Sequence, residues 1–375
     1  MPEELSLEEA LALVAGAESD SRSAPVPPSQ PPTEIEGISA ADLQRLFTPK
    51  KEQVRRMRHD LRSGNEWSFG IRVFDDATLG GARGGQLVTI IGRSHTGKTL
   101  LGLNMVARNR NHRTLWVSPD ETETMFWGRY AAIRLEIAQK DWIGRLIRED
   151  PIAWERVEQV MRDETNLHFE STGMTVDDID KAMRIASVEL WDGQRPEVVI
   201  YDYLELIRGG GAGDAASVQA KIESFKQLVS DWHVVGVILH QSGRGSGNRG
   251  RAGGIEAGRY ASTSESHFLL ETWRRWDDTN LEEDTREYYK DEISVGLWKN
   301  KSGDGEKAEV NLTIHTSGRL LEPGITWEQM SLDECLTCTP IPPPVHRLSV
   351  CLRDRRRRLP LGRSRRRPAG TPPHR

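Results

Sequence analysis

Eight consecutive residues, Gly92-Arg93-Ser94-His95-Thr96-Gly97-Lys98-Thr99, satisfy the pattern G-x-x-x-x-G-K-[ST], which is the chemistry of a phosphate cradle. The glycines let the backbone curl so that its N–H groups point inward at an anion. A helix starting at this point adds the positive end of its dipole. In such a cradle Lys98 reaches the β- and γ-phosphates and the Thr99 hydroxyl ligates Mg²⁺. The expected cofactors are therefore ATP and Mg²⁺. An apolar run, Leu87–Ile91, precedes the loop and a helical one, Leu100–Val106, follows it, so the pattern sits in the strand–loop–helix context it requires.

Two further acids are needed. One holds the metal through water from a strand end, and Val198-Val199-Ile200-Tyr201-Asp202 is an apolar run ending in an acid. Asp202 is the expected metal residue. The other orients or deprotonates the attacking water. Thr114–Val117 reads as a strand and runs into Ser118-Pro119-Asp120-Glu121. Asp120 and Glu121 are both candidates for that base.

These residues must be carried by strands that end on the same side. Leu87–Ile91, Thr114–Val117, Val198–Tyr201 and Val234–Leu239 read as buried strands, with helical patterns between them, notably Lys98–Arg108 and Ser217–Trp232. That alternation predicts an α/β fold with a mostly parallel central sheet flanked by helices. Ile293–Trp298 and Val310–His315 are two later strand candidates around a polar turn.

The chain around this core divides by composition. Residues 1–38 form an acidic, Pro/Ser-rich extension with a short amphipathic helix over Leu5–Glu18 and an extended linker over Ser21–Thr33. Residues 39–66 hold a linker helix, from Ser39 to about Arg62. Residues 67–325 form the ATPase domain. Residues 326–375 are expected to be a disordered Pro/Arg-rich tail, a solvated basic extension with a nucleic-acid-binding arm as the alternative.

Between Gln241 and the strand near His267 lies a Gly-rich segment carrying Arg244, Arg249 and Arg251. Glycine gives mobility, and spaced arginines grip phosphates without reading sequence. These three are the expected DNA contacts. Gly209-Gly210-Gly211-Ala212-Gly213 is a weaker second loop. Cys335, Cys338, His346 and Cys351 supply a zinc-compatible ligand set, but in a short Pro-rich stretch, so idle thiols are the preferred reading.

The net charge of −5 over 375 residues does not itself announce a nucleic-acid binder. No apolar stretch approaches the roughly 20 residues of a membrane span, and no signal peptide is read. All three cysteines fall in the final fifth, so the core cannot depend on disulfides. A cytoplasmic protein is expected.

The order of motifs resembles the ATPase domain of DnaB-type replicative helicases, in the RecA-like P-loop superfamily. The carriers are Phe74-Asp75-Asp76-Ala77-Thr78 before the phosphate loop, Leu115-Trp116-Val117-Ser118 followed by an acid, Asp202-Tyr203-Leu204-Glu205-Leu206, His240-Gln241-Ser242, and Lys299-Asn300-Lys301-Ser302-Gly303. The likeness runs from about Phe69 to Glu322. It implies that Gln241 senses the γ-phosphate and that Lys299 and Lys301 reach the ATP of a neighbouring subunit. It also implies a ring of identical chains, normally a hexamer, on single-stranded DNA, with a primase or helicase loader as partner. Three departures stand out. The finger is Lys301 where the family has Arg. The family's helical N-terminal domain has no room here. The base position aligns with Asp120, where the family has Glu. The lean architecture resembles phage versions.

The expected activity is ATP-driven DNA unwinding by a ring-forming helicase. A strand-exchange recombinase of the RecA or RadA kind shares the same motifs. An ATP-gated DNA-binding loader with weak hydrolysis is the third reading, which Asp120 in place of Glu favours.

Overall fold

The computed structural model describes residues 49–62, 66–209, 215–241, 262–278, 280–302, 305 and 307–324. The chain divides into two compact units near residue 60. In the first, the described element is helix α1 (Lys50–Asp60). Glu52 pairs with Arg55 at 2.7 Å and with Arg56 at 3.2 Å. Val54 and Met57 are exposed apolar side chains one turn apart on this helix. The helix expected over Ser39–Arg62 is thus seen from Lys50 onward. Residues 39–48, the Leu5–Glu18 helix and the tail lie outside the described residues.

The second unit is built on a nine-stranded sheet, counted over the described residues, in the order β3-β2-β4-β5-β1-β6-β7-β8-β9. Its strands are β1 (Leu87–Gly92), β2 (Thr114–Val117), β3 (Leu167–Glu170), β4 (Val198–Asp202), β5 (Val235–Gln241), β6 (Phe268–Trp273), β7 (Glu292–Asn300), β8 (Ala308–Ile314) and β9 (Leu320–Leu321). The first six in spatial order pair in parallel. From β6 to β9 the pairing is antiparallel. The sheet is mostly parallel and carries helices on both faces. No helix among the described residues is long and apolar enough to cross a membrane.

The strand sequences explain this sheet. β1, β2 and β4 are buried at every position, as strands covered on both faces must be. Side chains alternate between the faces. Trp116 and Ile200 enter one core with Leu101, Phe126, Trp142 and Val157. Leu115, Val117, Val199 and Tyr201 enter the other, with Ile179, Ile222 and Phe225. The first face is therefore covered by α3 (Lys98–Arg108), α4 (Glu123–Leu135), α5 (Gln139–Ile147) and α6 (Pro151–Asp163). The second is covered by α7 (Val176–Glu189) and α8 (Ala215–Trp232). Ahead of them, α2 (Arg72–Ala77) precedes β1.

Local signals set these helices. Thr122 caps α4 by accepting from the Met125 N–H at 3.4 Å. Asp150 caps α6 by accepting from Ile152 N–H at 3.0 Å, with Pro151 opening the helix. Thr175 and Asp178 form a reciprocal capping box on α7. In the first core Phe126 stacks on Phe169 with centroids 3.9 Å apart and meets Trp116 edge-on at 5.3 Å. Trp116 is fully buried, and removing such a side chain costs about 3–5 kcal/mol.

Candidate functional site

The phosphate loop joins β1 to α3, at the carboxyl end of the parallel strands. Gly92 lies in register with Gln241 of β5 and Thr272 of β6. A side chain at Gly92 would start 2.5 Å from the hydroxyls of both Thr96 and Thr272, so only glycine fits between them. Those two hydroxyls meet at 2.9 Å and pin the loop to β6. His95 and Gly97 take positive φ, at 63° and 97°, which turns the backbone into the first turn of α3. At His95 this left-handed conformation is uncommon outside glycine. Arg93, Ser94 and His95 form the outer stretch of the loop, with Ser94 and His95 exposed.

Lys98 Nζ donates to the carbonyls of Gly92 at 3.1 Å and Arg93 at 2.9 Å. Its ammonium therefore lies over the mouth of its own loop. Burial pushes its proton affinity down, while the charges of Asp202 and Glu205 pull it back up. Thr99 Oγ1 donates to Asp202 Oδ2 at 2.8 Å. Asp202 is only 5% exposed. Burial raises its carboxyl to about 6, against the hydrogen bond from Thr99. One carboxylate and one hydroxyl at the mouth of a phosphate loop fit Mg²⁺, which keeps several waters and takes further ligands from phosphates.

Asp120 and Glu121 both line the same cleft, a cavity of about 540 Å³. Their surroundings differ. Asp120 is exposed. Glu121 is bound to Arg129 of α4 at 2.7 Å, and burial raises its carboxyl above its ordinary range against the pull of that arginine. Gln241, at the end of β5, also lines the cleft. Its N–H donates to Glu205 Oε1 at 3.2 Å, and His240 Nδ1 lies 3.0 Å from the same oxygen. The phosphate loop, Asp202, Asp120, Glu121 and Gln241 are thus brought together.

Lys299 and Lys301 are not part of this cluster. Register places Asn300 opposite Phe268, the first residue of β6, whereas Thr272, beside the phosphate loop, faces Val295. The two lysines therefore sit at the opposite end of these strands. Their segment is well seated. Asn300 Nδ2 donates to the Ala77 carbonyl at 2.8 Å, and Lys301 N–H donates to the His267 carbonyl at 3.1 Å. Arg244, Arg249 and Arg251, the residues Gly210–Gly213 and the Cys335/Cys338/His346/Cys351 set lie outside the described residues.

The sequence alone assigns no role to Arg129, Gln139, Tyr203 and Arg274, which also line the cleft. Arg274 follows β6, and its guanidinium donates to the Lys290 carbonyl. A signal exists for Arg129 alone. Thr122 carries the signal of a helix cap, and Arg129 falls seven residues, about two turns, after it.

Residues 68–253 match the family described as the DnaB-like helicase C-terminal domain. The match takes in the phosphate loop, Asp120, Glu121, Asp202 and Gln241, and stops before Lys299. No curated protein matches the chain. Among solved structures, a DnaB-like replicative helicase, described with its interactions with primase, is similar at 17% identity and a TM-score of 0.56, over 75% of this chain and 69% of that one. A second solved structure, of an ATPase domain, is similar at 16% identity and a TM-score of 0.54, over 76% of this chain and 99% of that one. At such identities the structural likeness is one of fold, and the fold is RecA-like.

Proposed function

We propose, on the premise that this chain carries a helicase ATPase domain of the DnaB type, that it hydrolyses Mg²⁺–ATP between subunits of a ring, a hexamer, and moves along single-stranded DNA as a replicative helicase. Residues 67–325 are the motor, 39–66 the linker, and 1–38 and 326–375 the extensions. The cytoplasm is its proposed place of work. A primase or a helicase loader is its proposed protein partner.

One observation carries the reading. The nucleotide-side residues lie at one end of the strands, and Lys299 and Lys301 lie at the other. A chain built this way cannot bring its own lysines to its own phosphate loop. It can offer them to the loop of the next copy, as a closed ring requires.

Within the site each residue has a proposed task. The loop backbone, Lys98 and Thr99 hold the phosphates and the metal, and Asp202 fixes the metal's water. Asp120 is the base, because its exposed carboxylate lines the cleft while Glu121 is engaged by Arg129. Bound Mg²⁺–ATP supplies the scissile anhydride and the metal's charge on the phosphate oxygens. Gln241 senses the γ-phosphate, and Arg244, Arg249 and Arg251 hold the strand.

The test sets forked-duplex unwinding beside strand exchange, with and without ATP, on one preparation. Unwinding that needs ATP and disappears in Lys98→Ala supports the proposal. Strand exchange without unwinding supports a recombinase instead. Slow hydrolysis with ATP-dependent DNA binding and neither activity supports a loader.

A further inference from the structure

Lys299 and Lys301 belong to a larger charged cluster at their end of the sheet. Lys299 Nζ donates to the carbonyl of Ser264 at 2.7 Å. Ser264 and its neighbour Glu265 close a one-turn helix, Ser262–Glu265, that leads into β6. Lys226, from α8, donates to the Glu265 carboxylate. That hydrogen bond, and the charges of Lys226, Lys301 and Lys299, hold the Glu265 carboxyl below its ordinary range. His267 adds no charge near neutrality. Burial and the three lysines push it down to about 4, and its Nδ1 accepts from the Leu87 N–H at 3.1 Å. Lys226 is thus paired with Glu265, Lys299 is held one residue away at the Ser264 carbonyl, and the charges of Lys299 and Lys301 act on the same carboxylate.

We propose that Glu265 is a positioning residue that aims Lys299 and Lys301, with Lys226 as its counter-charge, so that the cluster acts as one anion-receiving unit. This rests on the reading that Lys301 serves a neighbouring subunit's ATP. The reason is the chemistry of lysine. It is a point charge on a flexible four-carbon stem, without the fork that lets Arg orient itself on a phosphate. A lysine finger must be aimed by its surroundings. Three like charges without Glu265 repel one another away from any shared direction. With Glu265 present, attraction converges on one point beside the Ser264 carbonyl that already holds Lys299.

The experiment uses the full chain and Glu265→Gln, which keeps shape and removes charge. Affinity for a fluorescent ATP analogue should change less than hydrolysis does, since each site keeps its own phosphate loop. DNA-stimulated hydrolysis should fall roughly tenfold, within the range of measured couplings between sites. Glu265→Asp, which restores the charge, should recover most of it. Mixing Glu265→Gln with Lys98→Ala should also restore stimulated hydrolysis, because Lys98→Ala chains carry an intact cluster. Wild-type stimulation in Glu265→Gln, with stimulation abolished in Lys301→Ala, overturns this inference and leaves the trans reading standing. Full activity in Lys301→Ala overturns the trans reading itself. Should Glu265→Gln fold poorly, Lys226→Gln asks the same question from the other partner. Unchanged stimulation in that folded variant also overturns the inference.

Discussion

Thr99 Oγ1 donates to Asp202 Oδ2 across 2.8 Å, so the end of the phosphate loop and the end of β4 converge on one point. Thr99 follows β1 and Asp202 ends β4, and parallel pairing through β5 brings those strand ends to one side. A hydroxyl and a buried acid at that point can hold a hydrated divalent cation against phosphate.

Asp202→Asn keeps the shape and the acceptor oxygen but removes the charge proposed to order the metal's water. The Mg²⁺ concentration for half-maximal hydrolysis should rise roughly 10–100-fold, the usual cost of losing a residue in the metal's outer shell. A Mg²⁺ titration of steady-state hydrolysis reads this directly. An unshifted titration places the metal elsewhere.

Asp120→Asn should slow hydrolysis by ~10²–10⁴, the range for a missing general base. Glu121→Gln breaks the ion pair to Arg129 and should cost less, because its carboxylate is already engaged. Single-turnover hydrolysis of both variants decides between them. If Glu121→Gln is the slower of the two, the roles are reversed.

Lys301→Ala keeps an intact phosphate loop, and Lys98→Ala keeps an intact finger. Mixed in one ring, they create some interfaces with both. Hydrolysis should reappear that neither variant shows alone. An Arg finger in trans is worth ~10³–10⁵, and a lysine, lacking the second hydrogen bond, should give a smaller factor. A mixture that shows only the sum of its parts rules out the trans role.

Replacing Arg244, Arg249 and Arg251 with Ala should weaken single-strand binding for every sequence tested. The log–log salt slope should flatten by roughly 0.7 for each phosphate that is no longer neutralised. Hydrolysis without DNA should survive. A slope identical to wild type means that these arginines meet solvent only.

His267 predicts a pH dependence of stability. Its folded form is pushed down to about 4 from an ordinary 6.5, because the ring is partly buried and faces lysines. The unfolded chain takes up the proton first as pH falls. The stabilisation is therefore present above 6.5 and is lost as pH falls toward about 4. Wild type should lose more of its melting temperature between pH 7 and pH 4 than His267→Gln. Parallel pH profiles for the two mean that the ring is not the sensor.

The strands nearest the phosphates are legible in the sequence, because burial on both faces leaves unbroken apolar text. Thr114–Val117 and the helix Lys98–Arg108 appear with the bounds read from sequence. β3 is not legible. Its four residues, Leu-His-Phe-Glu, alternate at a sheet edge, and His168 and Glu170 pair with each other at 2.7 Å. Such a segment is too short and too polar to announce itself. Helices α4 to α7 also escape the sequence reading, although Thr122, Asp150 and Thr175 carry cap signals. Asp202 is readable from its strand end. Arg274 is not, because nothing in the text shows that β6 runs beside the phosphate loop.

Gly97 and Ile293 give β7 a mechanical meaning. A side chain at Gly97 would start 2.5 Å from Ile293 Cδ1, so the phosphate loop rests against the beginning of this strand. Lys299 stands six residues further along, at ~3.4 Å per residue about 20 Å away. β7 is hydrogen-bonded on both sides over much of that span. Its pairing with β8 ends at Leu297, and its pairing with β6 shifts register between Leu297 and Lys299. The phosphate loop and Lys299 thus meet the same strand near its two ends, which gives the two sides of the sheet one common beam.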